Sequence, residues 1–328
     1  EFLERMVRSM LPMMQTMAAE EQAPKAAQKR AAEAFWDGSS GEEKPPERDQ
    51  LEVDAELSVS HTEVLRKRDF EQMSVAEEAE AARLIRSLRL PVDPMRTRRF
   101  RPALAGRQAD VRAMLRRSLR KGGEIDRLSL KTPKYRAPNL VVICDISGSM
   151  SAYARMMMHF MHALTWAHAS GWGRVHGFTF GTRLTNVTRA LAHKDVDHAL
   201  EALGRDAPDW QGGTRIGEAL FRFNRDWSRR VLGQGAVVLL ITDGLDRGET
   251  EQLKAEADRL ARSCRRLIWL NPLLRFDGFS PQAAGIRTLL PIVDSFFACH
   301  SVDSLSELGQ AFETGGEKQR FEQILKTL

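Results

Sequence analysis

At 328 residues and 37.0 kDa, the chain has room for one large domain or two small ones. Its 42% hydrophobic and 28% charged residues suit a soluble globular protein, and its longest apolar run, Ala236–Thr242, is far below the roughly 20 residues that cross a bilayer. The net charge of +5 is unevenly divided: Met95 to Arg136 holds fourteen Lys/Arg against three acids, a net of +11, so the remainder nets −6.

Residues 1 to 38 read as helix, with Met6, Met10, Met13, Met14 and Met17 near helical spacing. Such a stripe is expected to pack on the rest of the protein, with a partner-facing helix or peripheral membrane contact as the alternative. Gly38 to Asp54 is polar, contains Pro45-Pro46 and reads as a linker, and seven acids fall between residues 42 and 56 against Lys44 and Arg48. Residues 1–59 are therefore assigned as a helical and acidic linker region. Helix returns over Ser60 to Leu90, where Ser74-Val-Ala-Glu77 has the form of a capping box.

The basic segment follows. Asp110-Val-Arg-Ala-Met-Leu-Arg-Arg-Ser-Leu-Arg has an amphipathic pattern, and Gly122-Gly123 stops it, so residues 60–136 are expected to form a basic helical extension. Arg112, Arg116, Arg117, Arg120 and Lys121 are candidates for docking an acidic partner or the chain's own acidic linker. Nucleic acid is not expected, because only Phe100 and Tyr135 supply aromatic rings among these cations.

From Asn139 the character changes. Strand-like runs at Leu140–Cys144, Val175–Phe180, Ala236–Ile241, Arg266–Leu270 and Phe296–Cys299 alternate with helical segments at Tyr153–Ser170, Val196–Leu203, Ile216–Trp227, Thr250–Cys264 and Val302–Phe312. Alternation of this kind predicts an α/β domain over 137–328, a largely parallel sheet flanked by helices, with Thr182–Thr188 as an edge strand. The three cysteines, Cys144, Cys264 and Cys299, suggest neither a disulfide framework nor a zinc site, which points to a reducing cytosol. His159 and His162 share a helix with Met156, Met157, Met158 and Met161; a soft-metal site is conceivable there, but a packed helix with partly exposed histidines is the plainer expectation.

Val141-Val-Ile-Cys-Asp145-Ile-Ser147-Gly-Ser149-Met150 is an apolar strand ending in a carboxylate and two hydroxyls at alternate positions. In an open α/β sheet, ligands bind beyond the carboxyl ends of strands. Gly212-Gly213-Thr214, just before a helix, and Thr242-Asp243-Gly244, at a second strand end, fit the same edge. The alternatives are a helix cap at Asp145 and Ser149 and an ordinary turn at Thr242. Together, Asp145, Ser147, Ser149, Thr214 and Asp243 form an oxygen-donor set suited to Mg²⁺, with Mn²⁺ or Ca²⁺ as substitutes. The hydroxyl-rich set leaves the ion under-neutralised and open to a further acidic ligand, which favours gripping a partner over catalysis. A metal-dependent hydrolase would need a general base or another carboxylate on the ion, and no phosphate-binding Gly-x-x-x-x-Gly-Lys-Ser/Thr loop is present.

These five residues resemble the metal-ion-dependent adhesion site of von Willebrand factor A (VWA) domains. The resemblance implies that the serines and threonine contact the ion directly or through water, while Asp145 and Asp243 act through water. Trp210-Gln-Gly-Gly-Thr-Arg-Ile-Gly-Glu-Ala-Leu, Phe180-Gly-Thr-Arg-Leu-Thr-Asn-Val-Thr-Arg-Ala-Leu, Trp269-Leu-Asn-Pro-Leu and Leu115-Arg-Arg-Ser-Leu-Arg-Lys-Gly-Gly-Glu124 look like the CoxE-like branch of that family. The likeness covers about residues 60 to 312. It implies a Rossmann-like VWA fold and a non-enzymatic, cytoplasmic adaptor paired with a MoxR-type AAA+ ATPase. The implied client is a metalloenzyme, foremost a molybdenum-containing carbon monoxide dehydrogenase, with Rubisco activation as an alternative.

Overall fold

The computed structural model describes residues 61–125, 127–167, 171–195, 214–233, 235–275 and 283–314. The chain divides into two units, residues 1–58 and Val59–Leu328, and the described residues all belong to the second. The expected helix over 1–38, the acidic linker, the helix Val196–Leu203 and the Gly212-Gly213 loop all lie outside the described residues.

The second unit opens with a helical stretch at 61–67 and a short 3₁₀ turn, Phe70–Gln72. Helix α1 (Val75–Ser87) begins at the anticipated capping box: the Glu77 amide donates to the Ser74 hydroxyl at 3.4 Å, and the Ser74 amide donates to the Glu77 carboxylate at 2.9 Å. Its Ala81, Ala82 and Ile85 are buried.

The basic segment carries strands as well as the expected helix. β1 (Met95–Ala103), β2 (Gln108–Ala109), α2 (Val111–Arg120) and β3 (Leu130–Arg136) form a small antiparallel sheet, in the order β1-β3-β2, with α2 inserted between β2 and β3. The strands were hidden in the sequence because Arg occupies four positions of β1 and most of its side chains face solvent, which removes the alternation that marks a half-buried strand.

β4 (Leu140–Asp145) begins the larger domain. It continues through α3 (Ser151–Trp166), β5 (Val175–Phe180), β6 (Leu184–Asn186), α4 (Thr188–Leu191), α5 (Ile216–Asp226), α6 (Ser228–Val231), β7 (Val237–Ile241), α7 (Thr250–Ser263), β8 (Arg266–Asn271), α8 (Ala284–Leu289), β9 (Ser295–Ala298) and α9 (Val302–Thr314). The six strands lie in the order β6-β5-β4-β7-β8-β9. All neighbours are parallel except β6, the anticipated edge strand, which turns back antiparallel on β5.

Every residue of β4 and β7 is buried, as a sheet covered on both faces requires. Successive side chains alternate between two cores. Leu140, Val142 and Cys144 join α1, α3 and α9 on one face, while Val141 and Ile143 join α5, α7 and α8 on the other. Helix α3 is buried over eleven of its sixteen residues, so its methionines are core. Its histidines are buried too, against the expectation of partial exposure: His162 Nε2 lies 2.9 Å from the His193 carbonyl and its ring stacks on Trp166. No helix among the described residues is long and apolar enough to cross a membrane.

Candidate metal centre

The strand β4 ends at Asp145, paired in register with Phe180 of β5 and completely buried. Both carboxylate oxygens have a partner: Oδ1 accepts from the Ser147 amide at 2.8 Å, and Oδ2 accepts from the Thr242 hydroxyl at 2.9 Å. The first bond closes a tight turn that delivers Ser147 and Ser149 at the head of α3, their hydroxyl oxygens 3.2 Å apart. The second ties the end of β4 to the end of β7 across the adjacent strands.

Asp243 follows Thr242 and is 2% exposed. Its Oδ1 accepts from the Leu245 amide at 2.9 Å, so its loop also curls around its own carboxylate. Gly244 makes that curl, at φ +79°, where a side chain would meet the Trp269 ring at 2.8 Å. Two buried side chains of β8 hold the loop from beneath. The Trp269 indole donates to the Thr242 carbonyl at 2.9 Å, and the Asn271 amide donates to the Asp243 carbonyl at 3.1 Å.

Thr214 stands just ahead of α5 and is 4% exposed. Its carbonyl accepts from the Arg247 amide at 3.0 Å, binding this segment to the loop after β7. Asp246 reinforces the link: its Oδ1 accepts from the Ile216 amide at 2.9 Å and from the Gly248 amide at 3.1 Å. It therefore caps α5, from thirty residues away in sequence. Glu249, at the N-cap position of α7, makes no side-chain capping bond.

Ser147, Ser149, Thr214 and Asp246 line one cavity of about 340 Å³, closed on a further side by Ala283-Ala284-Gly285 at the start of α8. Four of the five residues singled out from sequence are buried, and Ser149 is exposed at the mouth. Asp145 and Asp243 lie behind the hydroxyls. Burial, and then the charge of Asp243, push the Asp145 carboxyl up to about 7, against the opposing pull of the Ser147 and Thr242 hydrogen bonds. Burial also raises Asp243, with a Ser149 hydrogen bond partly offsetting it. The site is thus short of positive charge.

Among the described residues, no group of three or more His, Cys, Asp or Glu could hold a metal ion. A cation here would be met by hydroxyls, a hard-oxygen set that suits a hard divalent cation better than a soft one. One oxygen of Asp246, a residue of the cavity wall, is buried without a hydrogen-bond partner among the described residues. The residues present fit a divalent cation.

Sequence reasoning did not anticipate the roles of Thr242, Asp246, Trp269 and Asn271. Trp269-Leu-Asn-Pro was legible as a motif, and an Asn at the end of an otherwise apolar strand was the signal for its supporting role. The basic candidates lie elsewhere: Arg112, Arg116 and Arg120 are exposed on α2, Arg117 is half-buried there, Lys121 caps its end, and none of the five lines this cavity.

The structure resembles several solved VWA proteins at low identity. Proximal thread matrix protein 1 from the mussel byssus, whose structure is described with a zinc-occupied MIDAS motif, is 17% identical over 54% of this chain and 47% of its own, with a TM-score of 0.38. A von Willebrand factor type A protein from Catenulispora acidiphila is 19% identical over 56% of this chain and 44% of its own, at a TM-score of 0.40. An aerotolerance-related membrane protein from Bacteroides fragilis is 17% identical over 57% of this chain and all of its own, at 0.35. The chain thus spans about half the length of the first two. No curated protein sequence matches it. The family model described as VWA domain containing CoxE-like protein matches residues 81–305, more than half of the chain. The chain belongs to the CoxE-like family of VWA-domain proteins.

Proposed function

We propose that this chain is a cation-dependent adaptor that grips an acidic side chain of a partner protein. Mg²⁺, met by the hydroxyls of Ser147, Ser149 and Thr214 and oriented through Asp145 and Asp243, supplies an electrophilic centre with room for a partner carboxylate. The observation that carries this reading is the convergence of three hydroxyls on one open cavity above two buried, charge-deficient carboxylates. A site built to cut would place a free base beside the ion; Asp246, the carboxylate in the cavity wall, is engaged through Oδ1 in capping α5, and a site built to hold needs only the missing ligand.

Membership of the CoxE-like family supports a MoxR-type AAA+ ATPase as the working partner. The client we favour is a metalloenzyme undergoing maturation in the cytoplasm, foremost a molybdenum-containing carbon monoxide dehydrogenase. The chain would hold the client while the ATPase supplies the work. The exposed arginines of α2, with Lys121, are proposed as a docking surface for an acidic region of one of these proteins.

The test is capture of the ATPase and client by the full chain in Mg²⁺ and in chelator. Capture that needs the cation and is lost in Asp145→Ala supports the adaptor. Unchanged capture and client activation in that variant would overturn it.

A further inference from the structure

A second cavity, larger than the one at the metal centre, lies away from it. It is a groove of about 790 Å³ on the small basic sheet, lined by Arg98, Arg99 and Arg101 of β1 and by Lys134 and Arg136 of β3. A volume of that size is within the range of small-ligand sites. No carboxylate contributes to its wall, and none of the five cations forms an ion pair among the described residues. Five like charges held together repel one another, and a bound anion would relieve that repulsion.

The backbone explains how three arginines of one strand share a wall. Arg96 pairs with Tyr135 and Phe100 with Pro133, so Thr97, Arg98 and Arg99 together face the single residue Lys134. In a regular strand Arg98 and Arg99 would point to opposite faces. The bulge breaks that alternation and re-aims the side chains, a common use of bulges beside binding sites. Thr97 holds the distortion in place: its hydroxyl donates to the Lys134 carbonyl at 2.8 Å and accepts from the Arg99 amide at 3.2 Å. Pro133, which has no amide to donate, occupies the neighbouring position on β3. This is an organised irregularity, with its own hydrogen bonds, and it gathers cations that exposure alone would scatter.

We propose that the groove between β1 and β3 is an anion site for a multiply charged phosphate group, such as a di- or triphosphate, separate from the metal centre. Guanidinium groups dominate the wall, and their planar forks match phosphate oxygens bidentately in a way a lysine-rich surface would not. Tyr135, 62% exposed in the same wall, offers a ring face to whatever carries the phosphate. This proposal does not depend on the adaptor reading.

The experiment is titration calorimetry of the full chain with inorganic triphosphate, in chelator so that no cation at the other site captures the anion. Saturable binding that weakens roughly tenfold for each of Arg98→Ala and Arg99→Ala, and not for Arg262→Ala on α7, is expected. Thr97→Val keeps every charge while releasing the bulge, and is expected to weaken binding several-fold. Affinity unchanged in Thr97→Val, or equal affinity for a glutamate oligomer of the same charge, means undirected charge attraction and overturns the proposal. Absence of saturable binding overturns it outright. A parallel arm with vesicles carrying a multiply charged phosphomonoester headgroup, a phosphorylated phosphatidylinositol, identifies the source: binding lost in the same variants assigns a lipid headgroup, and no vesicle binding assigns a soluble phosphate.

Discussion

Asp145 is the residue on which most of the site turns. Its oxygens brace the end of β4 against the Ser147 turn and the Thr242 hydroxyl, and it is buried with a second carboxylate at its back. Such a group is at odds with its surroundings when ionised and uncompensated. Its carboxyl titrates near 7 in the fold and near 4 in the unfolded chain, so the folded state binds the extra proton between those values. The contribution of Asp145 to the stability of the metal-free protein is therefore expected to be largest at acid pH, to fall as pH rises from about 4 to 7, and to level off above. A bound divalent cation reverses the preference by stabilising the ionised form. Mg²⁺ should raise the melting temperature clearly at pH 8 and barely at pH 5.5. Asp145→Asn should flatten the metal-free profile and remove the Mg²⁺ response. Melting curves at both pH values, with and without Mg²⁺, check this. A loss of stability from pH 5.5 to pH 8 no larger in the metal-free protein than in Asp145→Asn would count against the burial argument.

At the scale of elements, the site is assembled by close backbone approaches as much as by side chains. Gly285, in the first turn of α8, sits so near the Gly244 carbonyl that an added Cβ would lie 2.3 Å from it. Neither partner is the end of a flexible side chain, so the two segments must separate to admit a methyl group. Gly285→Ala is expected to destabilise the fold by about 1–3 kcal/mol and to weaken Mg²⁺ binding by loosening the Asp243 loop. Denaturant unfolding together with Mg²⁺ titration tests both effects, and an unchanged affinity would detach α8 from the site. This contact also shows what could be read in advance. The strands β4 and β7 were legible because Leu140-Val-Val-Ile-Cys and Val237-Val-Leu-Leu-Ile are apolar on both faces. The donor set was legible because Asp145, Ser147 and Ser149 are contiguous and their chemistry is local. By contrast, α8 has six residues, no side-chain cap and no acidic first turn, so no helix signal marks it. The Asp246 cap on α5 joins residues thirty apart, and the bulge in β1 depends on a register that only the partner strand defines. Local pattern carries the elements and the motif; pairwise geometry across the sheet carries everything that steadies them.

Over the whole molecule, the two chemistries are segregated. The cavity at the C-terminal edge of the large sheet offers a single exacting contact, whereas the Met95–Arg136 segment spreads a net charge of +11 over an exposed helix and sheet. Coulombic attraction acts over a Debye length and governs encounter, while a ligand bond at an ion governs release. If the adaptor reading holds, variants of the two regions should separate kinetically on one and the same partner. Reversing Arg112, Arg116 and Arg120 to Glu is expected to slow association about tenfold at low salt and to flatten its salt dependence, with dissociation little changed. Asp145→Ala should leave association nearly intact and accelerate dissociation. Surface-binding kinetics with an immobilised MoxR-type ATPase, run across a salt series in Mg²⁺, distinguish the two. A common effect of both variants on one rate constant would mean that cationic surface and metal centre act as a single contact. Separate effects would mean that partners are first gathered by charge and then locked by the ion, a division of labour that a chain with one strongly basic segment and one charge-deficient acidic cavity is well placed to perform.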